Sequence, residues 1–274
     1  MSGHYVFNAS AIGLGGVLTS PKRKVIPSLA SVALAPTGGE GVGIVTNYDD
    51  GDGITFDRAE THVFGTSNGD GTYTTVADVM VNNLSVFNQL QVQAMRASVT
   101  SIRQVIDGMV FDRKFTFQAE YLGVYLNGQE MDLPVETKVF DDNPSYDDFV
   151  KALGTDEMAD YRKLIGLDNA QAKSLVRSAR AEDSATADSR TICCTAISPK
   201  CHAGFHVPVK GVGTAHLAEV LVKQGRRRLT LLRLELEPRE LPHVGIAIKE
   251  SKGLSNNGSM TVGSVEGNGT YTLP

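Results

Sequence analysis

The feature that most constrains this chain is a two-residue rhythm of apolar and polar side chains. Phe115, Phe117, Ala119 and Tyr121 alternate with Thr116, Gln118 and Glu120. Successive strand residues point to opposite faces, so this pattern buries one face and wets the other. Asn127-Gly128 follows, a pair that tolerates the positive φ angles of a tight hairpin. Met131, Leu133 and Val135 then resume the alternation, predicting that this segment returns against Phe115 to Tyr121. Pro134 cannot donate to a ladder, which puts the returning strand at a sheet edge.

The same rhythm recurs along the chain. Leu90, Val92 and Ala94 alternate with Gln89, Gln91 and Gln93, after which the apolar parity changes to Met95, Ala97 and Val99, as a bulge or an approaching second sheet permits. Tyr73 to Val81 reads as a strand entered through the turn formers Ser67 to Gly71. Val25 to Leu34 and Gly41 to Val45 are expected to pair across Thr37-Gly38-Gly39. Towards the C-terminus, Ala218, Val220 and Val222, then Leu232, Leu234 and Leu236, form two runs around Gln224-Gly225, with a third at Val244, Ile246 and Ile248. A short strand near Met260 to Val265 is expected between the turn signals Ser255 to Gly258 and Gly267-Asn268-Gly269.

The rhythm breaks after Asn143. Ser145 with Asp148 three residues on is a helix-capping spacing, followed by the apolar stripe Phe149, Val150 and Leu153. Thr155 can cap a second helix carrying Met158, Tyr161, Leu164 and Ile165, stopped by Gly166. A third spans Asp168 to Arg180 with a weak apolar face of Ala172, Leu175 and Val176. Small polar residues from Ala181 to Arg190 read as a linker. The expected organisation is an N-terminal β region at 1–143, a helical insertion and linker at 144–189, and a C-terminal β region at 190–274 completing the same core. Helices in one block, rather than alternating with strands, favour a mainly β, antiparallel sandwich or roll with a three-helix insertion.

Composition narrows the function classes. The 274 residues carry a net charge of −5 and no Trp, so neither nucleic acid nor an anionic membrane is favoured as a partner. No run approaches the ~18 apolar residues of a membrane span. Without a basic and then apolar leader, a cytoplasmic address is expected, with the cell surface as the alternative if export needs no leader.

Candidate chemistry is confined to four places. Cys193, Cys194, Cys201, His202 and His206 bring soft ligands together, but zinc takes spaced pairs, and adjacent Cys193 and Cys194 face opposite ways on a strand. Buried thiols beside incidental histidines are expected, and no triad is specified. Asn47-Tyr48-Asp49-Asp50-Gly51-Asp52-Gly53 has calcium-loop composition, yet its helix-loop-helix register puts Tyr48 first and Ala59 last, so a polar turn is expected. Gly13-Leu14-Gly15-Gly16 lacks the following helix that a phosphate cradle needs and reads as a strand connection. Lys223, Arg226, Arg227 and Arg228 cluster at a predicted hairpin tip, where charges solvate the turn or bind an anion. No catalytic, metal or cofactor residues emerge.

Gly211 to Glu219, the alternating leucines of Leu229 to Leu236, Val262-Gly263-Ser264 and the hairpin from Tyr121 to Val135 resemble the bacterial choice-of-anchor P proteins, surface-associated β domains. The resemblance implies a β fold and a cell-surface role, and brings no catalytic residues; the three-helix insert departs from it. The function expected is structural or interactive rather than enzymatic, with self-assembly into a homo-oligomer through β surfaces. A carrier of lipid or another apolar ligand, lined by strands such as Phe115 to Tyr121 and Leu229 to Leu236, is the alternative, and an unrecognised enzyme the third reading.

Overall fold

The computed structural model describes residues 4–18, 24–180, 192–198, 206–223, 226–236 and 258–272. Among the described residues thirteen strands form two antiparallel sheets. They are β1 (His4–Leu18), β2 (Lys24–Ala33), β3 (Gly39–Asp49), β4 (Ile54–Ser67), β5 (Thr72–Val86), β6 (Leu90–Ile106), β7 (Met109–Leu126), β8 (Gln129–Met131), β9 (Ile192–Thr195), β10 (His206–Val209), β11 (Gly213–Lys223), β12 (Arg226–Leu236) and β13 (Ser259–Thr272). One sheet is a meander in the order β3-β4-β5-β6-β7-β8. The other runs β10-β11-β12-β13-β1-β2, with β9 also pairing β11. Because β1 lies between β13 and β2, the first and last described strands are neighbours. The two sheets stack face to face as a β-sandwich, burying Phe7, Leu14, Val79, Val99, Leu229 and Val262 between them.

Each sheet is crossed by a transverse rung at which the inward face changes parity. In the meander the rung is Asn47, Asp57, Asn83, Gln93 and Gly123, bracketed by pairs such as Thr46–Arg58, Asn82–Ala94 and Val92–Val124. Alternate strands carry a left-handed residue there: Asn47 at φ 52°, Asn83 at 52° and Gly123 at 57°. Inward residues are Ala77, Val79 and Val81 before Asn83 in β5, but Leu84 and Val86 after it. Residues opposite one another share a face, so a parity change in one strand would misalign it with both neighbours. It must therefore cross the whole sheet, and this accounts for the change between Val92 and Met95. The second sheet repeats the device through Ala218, Leu231, Gly263, Gly13 and Ala30, with φ of 47° at Ala218, 62° at Gly263 and 45° at Ala30.

Hydroxyls from the facing sheet satisfy backbone groups at this second rung. Tyr121 Oη donates to the Leu231 carbonyl at 2.5 Å and accepts the Ala218 N–H at 3.0 Å. Thr61 Oγ1 donates to the Ala30 carbonyl at 2.8 Å. Two-residue turns at Phe87-Asn88, Asp107-Gly108 and Asn127-Gly128 all have positive φ, as tight hairpins require.

The sandwich is a wedge. At the β2–β3 side, a Cβ on Gly41 would meet Val32 Cγ2 at 2.7 Å and one on Gly43 the Ala30 carbonyl carbon at 3.0 Å, so glycine lets the sheets converge. On the opposite side helices fill the space between β7 and β12. They are α1 (Lys138–Asp141), α2 (Tyr146–Leu153), α3 (Ala159–Leu164, preceded by a 3₁₀ turn) and α4 (Asn169–Arg180). Ser145 caps α2, accepting the Asp148 N–H at 3.0 Å. Phe140 is buried against Phe117, Phe149 and Tyr161 at centroid distances of 5.2, 5.4 and 6.3 Å. Arg162, itself buried, donates to the Leu153 carbonyl at 2.7 Å at the end of α2.

Several sequence expectations are corrected. β2 and β3 do not pair; they belong to different sheets, because the chain crosses between layers through Ala35 to Gly38. The Asn127-Gly128 hairpin pairs Val124–Met131 and Leu126–Gln129, while Phe115, Phe117 and Ala119 face inward on the part of β7 that pairs β6. β8 ends at Met131, before Pro134, and is a sheet edge. Gly13 to Gly16 lie inside β1 rather than in a connection. Gly267-Asn268-Gly269 is no turn but the interior of β13: a Cβ on Gly269 would meet Tyr5 Oη at 2.1 Å. The helical block has one more element, α1, than expected. The run Val244 to Ile248, the turn at Gln224-Gly225, the turn residues before Gly258 and the Ala181 to Arg190 linker lie outside the described residues.

Candidate interaction edge and polar cleft

A sandwich leaves strand edges whose free N–H and C=O groups can template another strand, and proteins ordinarily shorten or block them. Three of the edges among the described residues are managed in that way. β2 carries Pro27, β8 has three residues, and β9 and β10 have four each, the latter with Pro208. β3 differs. It is 11 residues long, has no Pro, and has β4 as its one ladder partner among the described residues. Its charges are Glu40 and Asp49, one near each end, and Glu40 is drawn over the sheet by His62 Nε2 at 2.9 Å. On its outer face Val42 and Ile44 are 53% and 49% exposed.

The second feature is polar and lies towards the far end of the sandwich from the β8 turn. A one-residue bulge at Arg113 shifts the β6–β7 register, so that Arg103 faces Asp112. Without it, the inward position opposite Arg103 would hold Arg113; with it, Asp112 turns inward and Arg113 bonds Gln104 Oε1 outside, at 2.6 Å from Nε. Arg103 Nε lies 2.9 Å from Asp112 Oδ1, and Nη1 donates to the Gly269 carbonyl. Arg227 of β12 is 4.9 Å from the centroid of the Phe115 ring, which Arg103 also approaches at 5.8 Å. Burial lowers the Arg227 guanidinium to about 10, Asp112 partly opposing the shift. Its Nη2 donates to the Asn143 and Pro144 carbonyls at 3.0 and 2.9 Å, pinning the entry to α2. Tyr5 stacks on Tyr73 at 4.0 Å nearby, and burial raises its phenol.

The residues singled out from sequence are dispersed. Cys193 is exposed and Cys194 buried on opposite faces of β9, and burial pushes the Cys194 thiol up. His206 lies on β10, its ring 4.4 Å from that of His216. Cys201 and His202 lie outside the described residues. In the Asn47 to Gly53 segment, Asp50 Oδ1 accepts the N–H groups of Asp52 and Ile54 at 2.9 and 2.8 Å. Lys24 Nζ sits 3.5 Å from Asp50 Oδ2 and 2.8 Å from Asp52 Oδ2, so an ammonium already holds the charge position. No group of three or more metal-ligating side chains gathers among the described residues. Of the basic cluster, Lys223, Arg226 and Arg228 line a shallow outer pocket with Leu221. Arg227 departs from the expected solvated turn: it points into the core because inward parity in β12 ahead of the rung runs through 227 and 229.

Sequence reasoning missed β3 as an open edge and Arg103 with Asp112 as a pair. The first needed the order of strands. The second hid behind the bulge, though Asp107-Gly108 could have located the turn that sets the register.

Comparison with known families places this geometry. A family model described as a domain of unknown function (DUF8256) matches residues 5–223. The chain belongs to this family. The matched span of the DUF8256 domain includes β3, Arg103, Asp112 and the helical block, while all of β12 and β13 follow it. No curated protein and no solved structure matches. Among the described residues no helix is long and apolar enough to cross a membrane.

Proposed function

We propose that this DUF8256 protein is a structural interaction module that associates with copies of itself by strand addition along β3. The contrast among the edges carries the reading: three are shortened or blocked, and β3 is long, free of Pro and sparsely charged. An antiparallel pair about a two-fold axis at Gly43 sets Val42 against Ile44 twice on the outer face. It sets Gly41 against Val45 on the inner face, and Glu40 opposite Thr46, so no like charges meet. Isologous pairing of this kind closes on itself as a dimer. Covering each half-exposed Val42 or Ile44 contributes about 1 kcal/mol. With ladder hydrogen bonds set against the entropy of association, a dissociation constant on the order of micromolar is expected. The resemblance to choice-of-anchor P domains implies a cell-surface role, with which such a module is compatible.

Light scattering across a concentration series tests this directly. The wild-type protein is expected to pass from monomer to dimer, and Val42→Lys with Ile44→Lys to remain monomeric at unchanged melting temperature. Val25→Lys, on the neighbouring β2 edge, should leave the dimer intact. A wild-type monomer at millimolar concentration would remove the proposal, as would a double-lysine variant that dimerises normally.

A further inference from the structure

We propose that the cleft beneath the Asp107-Gly108 turn binds the carboxylate of a small organic ligand, with Arg103 at its floor. The cleft has a volume of about 550 Å³ and is lined by Arg103, Phe111, Asp112, Ser145, Tyr146 and Tyr271, among others. That volume falls within the few hundred to about a thousand Å³ usual for small-molecule sites. Arg103 is 3% exposed, and although Nη1 has the Gly269 carbonyl and Nε the Asp112 carboxylate, its buried Nη2 has no hydrogen-bond acceptor. Arg227, 1% exposed on the same Phe115 ring, leaves Nη1 in the same condition. A buried guanidinium donor without an acceptor carries an uncompensated desolvation cost, so the position is suited to an incoming oxygen.

Charge selects the ligand class. Arg103 pairs with the one inward carboxylate, Asp112. Arg227, which does not itself line the cleft but shares the Phe115 ring with Arg103, adds a second buried guanidinium, so one positive charge is in excess around the floor. α2 begins at the cleft with Ser145, Tyr146 and Asp147, and its positive end adds to that field. Asp147 stands at the rim and opposes a doubly charged group, so a monoanionic carboxylate fits better than a phosphate monoester. Phe111, 43% exposed, and Tyr271 offer apolar surface for a ring or short chain attached to it. The site is independent of β3 and of self-association.

Benzoate is the probe, with benzamide as its neutral isostere and inorganic phosphate as the competing anion. Titrated into the full chain and followed by calorimetry or amide chemical shifts, benzoate is expected to saturate with millimolar affinity or tighter. Benzamide and phosphate should bind at least tenfold more weakly. Arg103→Lys keeps the charge but loses the planar fork, and should weaken benzoate at least tenfold. Phe111→Ala, at an exposed position tolerant of change, should weaken it three- to tenfold, and carries the test if the arginine variant fails to fold. The proposal is overturned if benzoate shows no saturable binding, if benzamide or phosphate binds equally well, or if Phe111→Ala leaves the benzoate affinity unchanged.

Discussion

The Tyr121 hydroxyl does more than fill space, because it reaches across the sandwich to join two backbone groups that the rung at Ala218 and Leu231 separates. Phenylalanine in its place keeps the ring and strands both partners in the interior. Tyr121→Phe is therefore expected to cost about 2–4 kcal/mol, measured by urea denaturation, since each buried unpaired group costs roughly 1–3 kcal/mol. A conservative change that costs less than 1 kcal/mol would show that the ladder closes without it. Gly263, at φ 62° on the same rung, has no such latitude: a Cβ would meet Leu231 Cδ1 at 2.6 Å. Asn83 also adopts a left-handed conformation, but asparagine tolerates it and its amide donates to Asp57 Oδ2 at 2.7 Å.

Among the elements, α2 shows most plainly what local chemistry can say. Ser145 and Asp148 were legible as a cap because one side chain and one N–H three residues apart decide the matter. Ser145→Ala should lower stability by about 1 kcal/mol in thermal or urea melts. A loss below a few tenths would mean that packing of Phe149 and Leu153 alone holds the helix. The alternation of Phe115, Phe117 and Ala119 was legible for the same local reason. What escaped reading depends on partners distant in sequence. Gly267-Asn268-Gly269 has turn composition, yet those glycines answer to the crowding of Tyr5 and of the opposite sheet, invisible from β13 itself. Thr37-Gly38-Gly39 suits a hairpin as well as a passage between layers, and local residues do not separate the two. The β3 edge is a property of strand order, and the Arg103–Asp112 pair follows from a bulge that displaces the inward position by one residue.

For the molecule as a whole, burial holds the phenols of Tyr121 and Tyr161 and the thiol of Cys194 above their ordinary ranges. In the unfolded chain the tyrosines ionise near pH 10 and the cysteine near 8.5. Their folded values are raised, so their contribution is intact below those unfolded values and is lost as pH climbs beyond them. Stability is expected to fall from about pH 9 upward, at up to about 1.4 kcal/mol per pH unit for each group. Tyrosine absorbance should report ionisation of the buried pair together with unfolding rather than before it; free titration in the folded protein would contradict this. The transverse rungs extend the same logic from charge to chain length. Every strand that meets a rung must reach it in phase with its neighbours, so deleting one residue between a turn and the rung would throw a whole sheet out of step. Insertions and deletions in DUF8256 sequences should therefore collect in turns and in the helical block, and within strands should arrive only in compensating sets spanning adjacent segments.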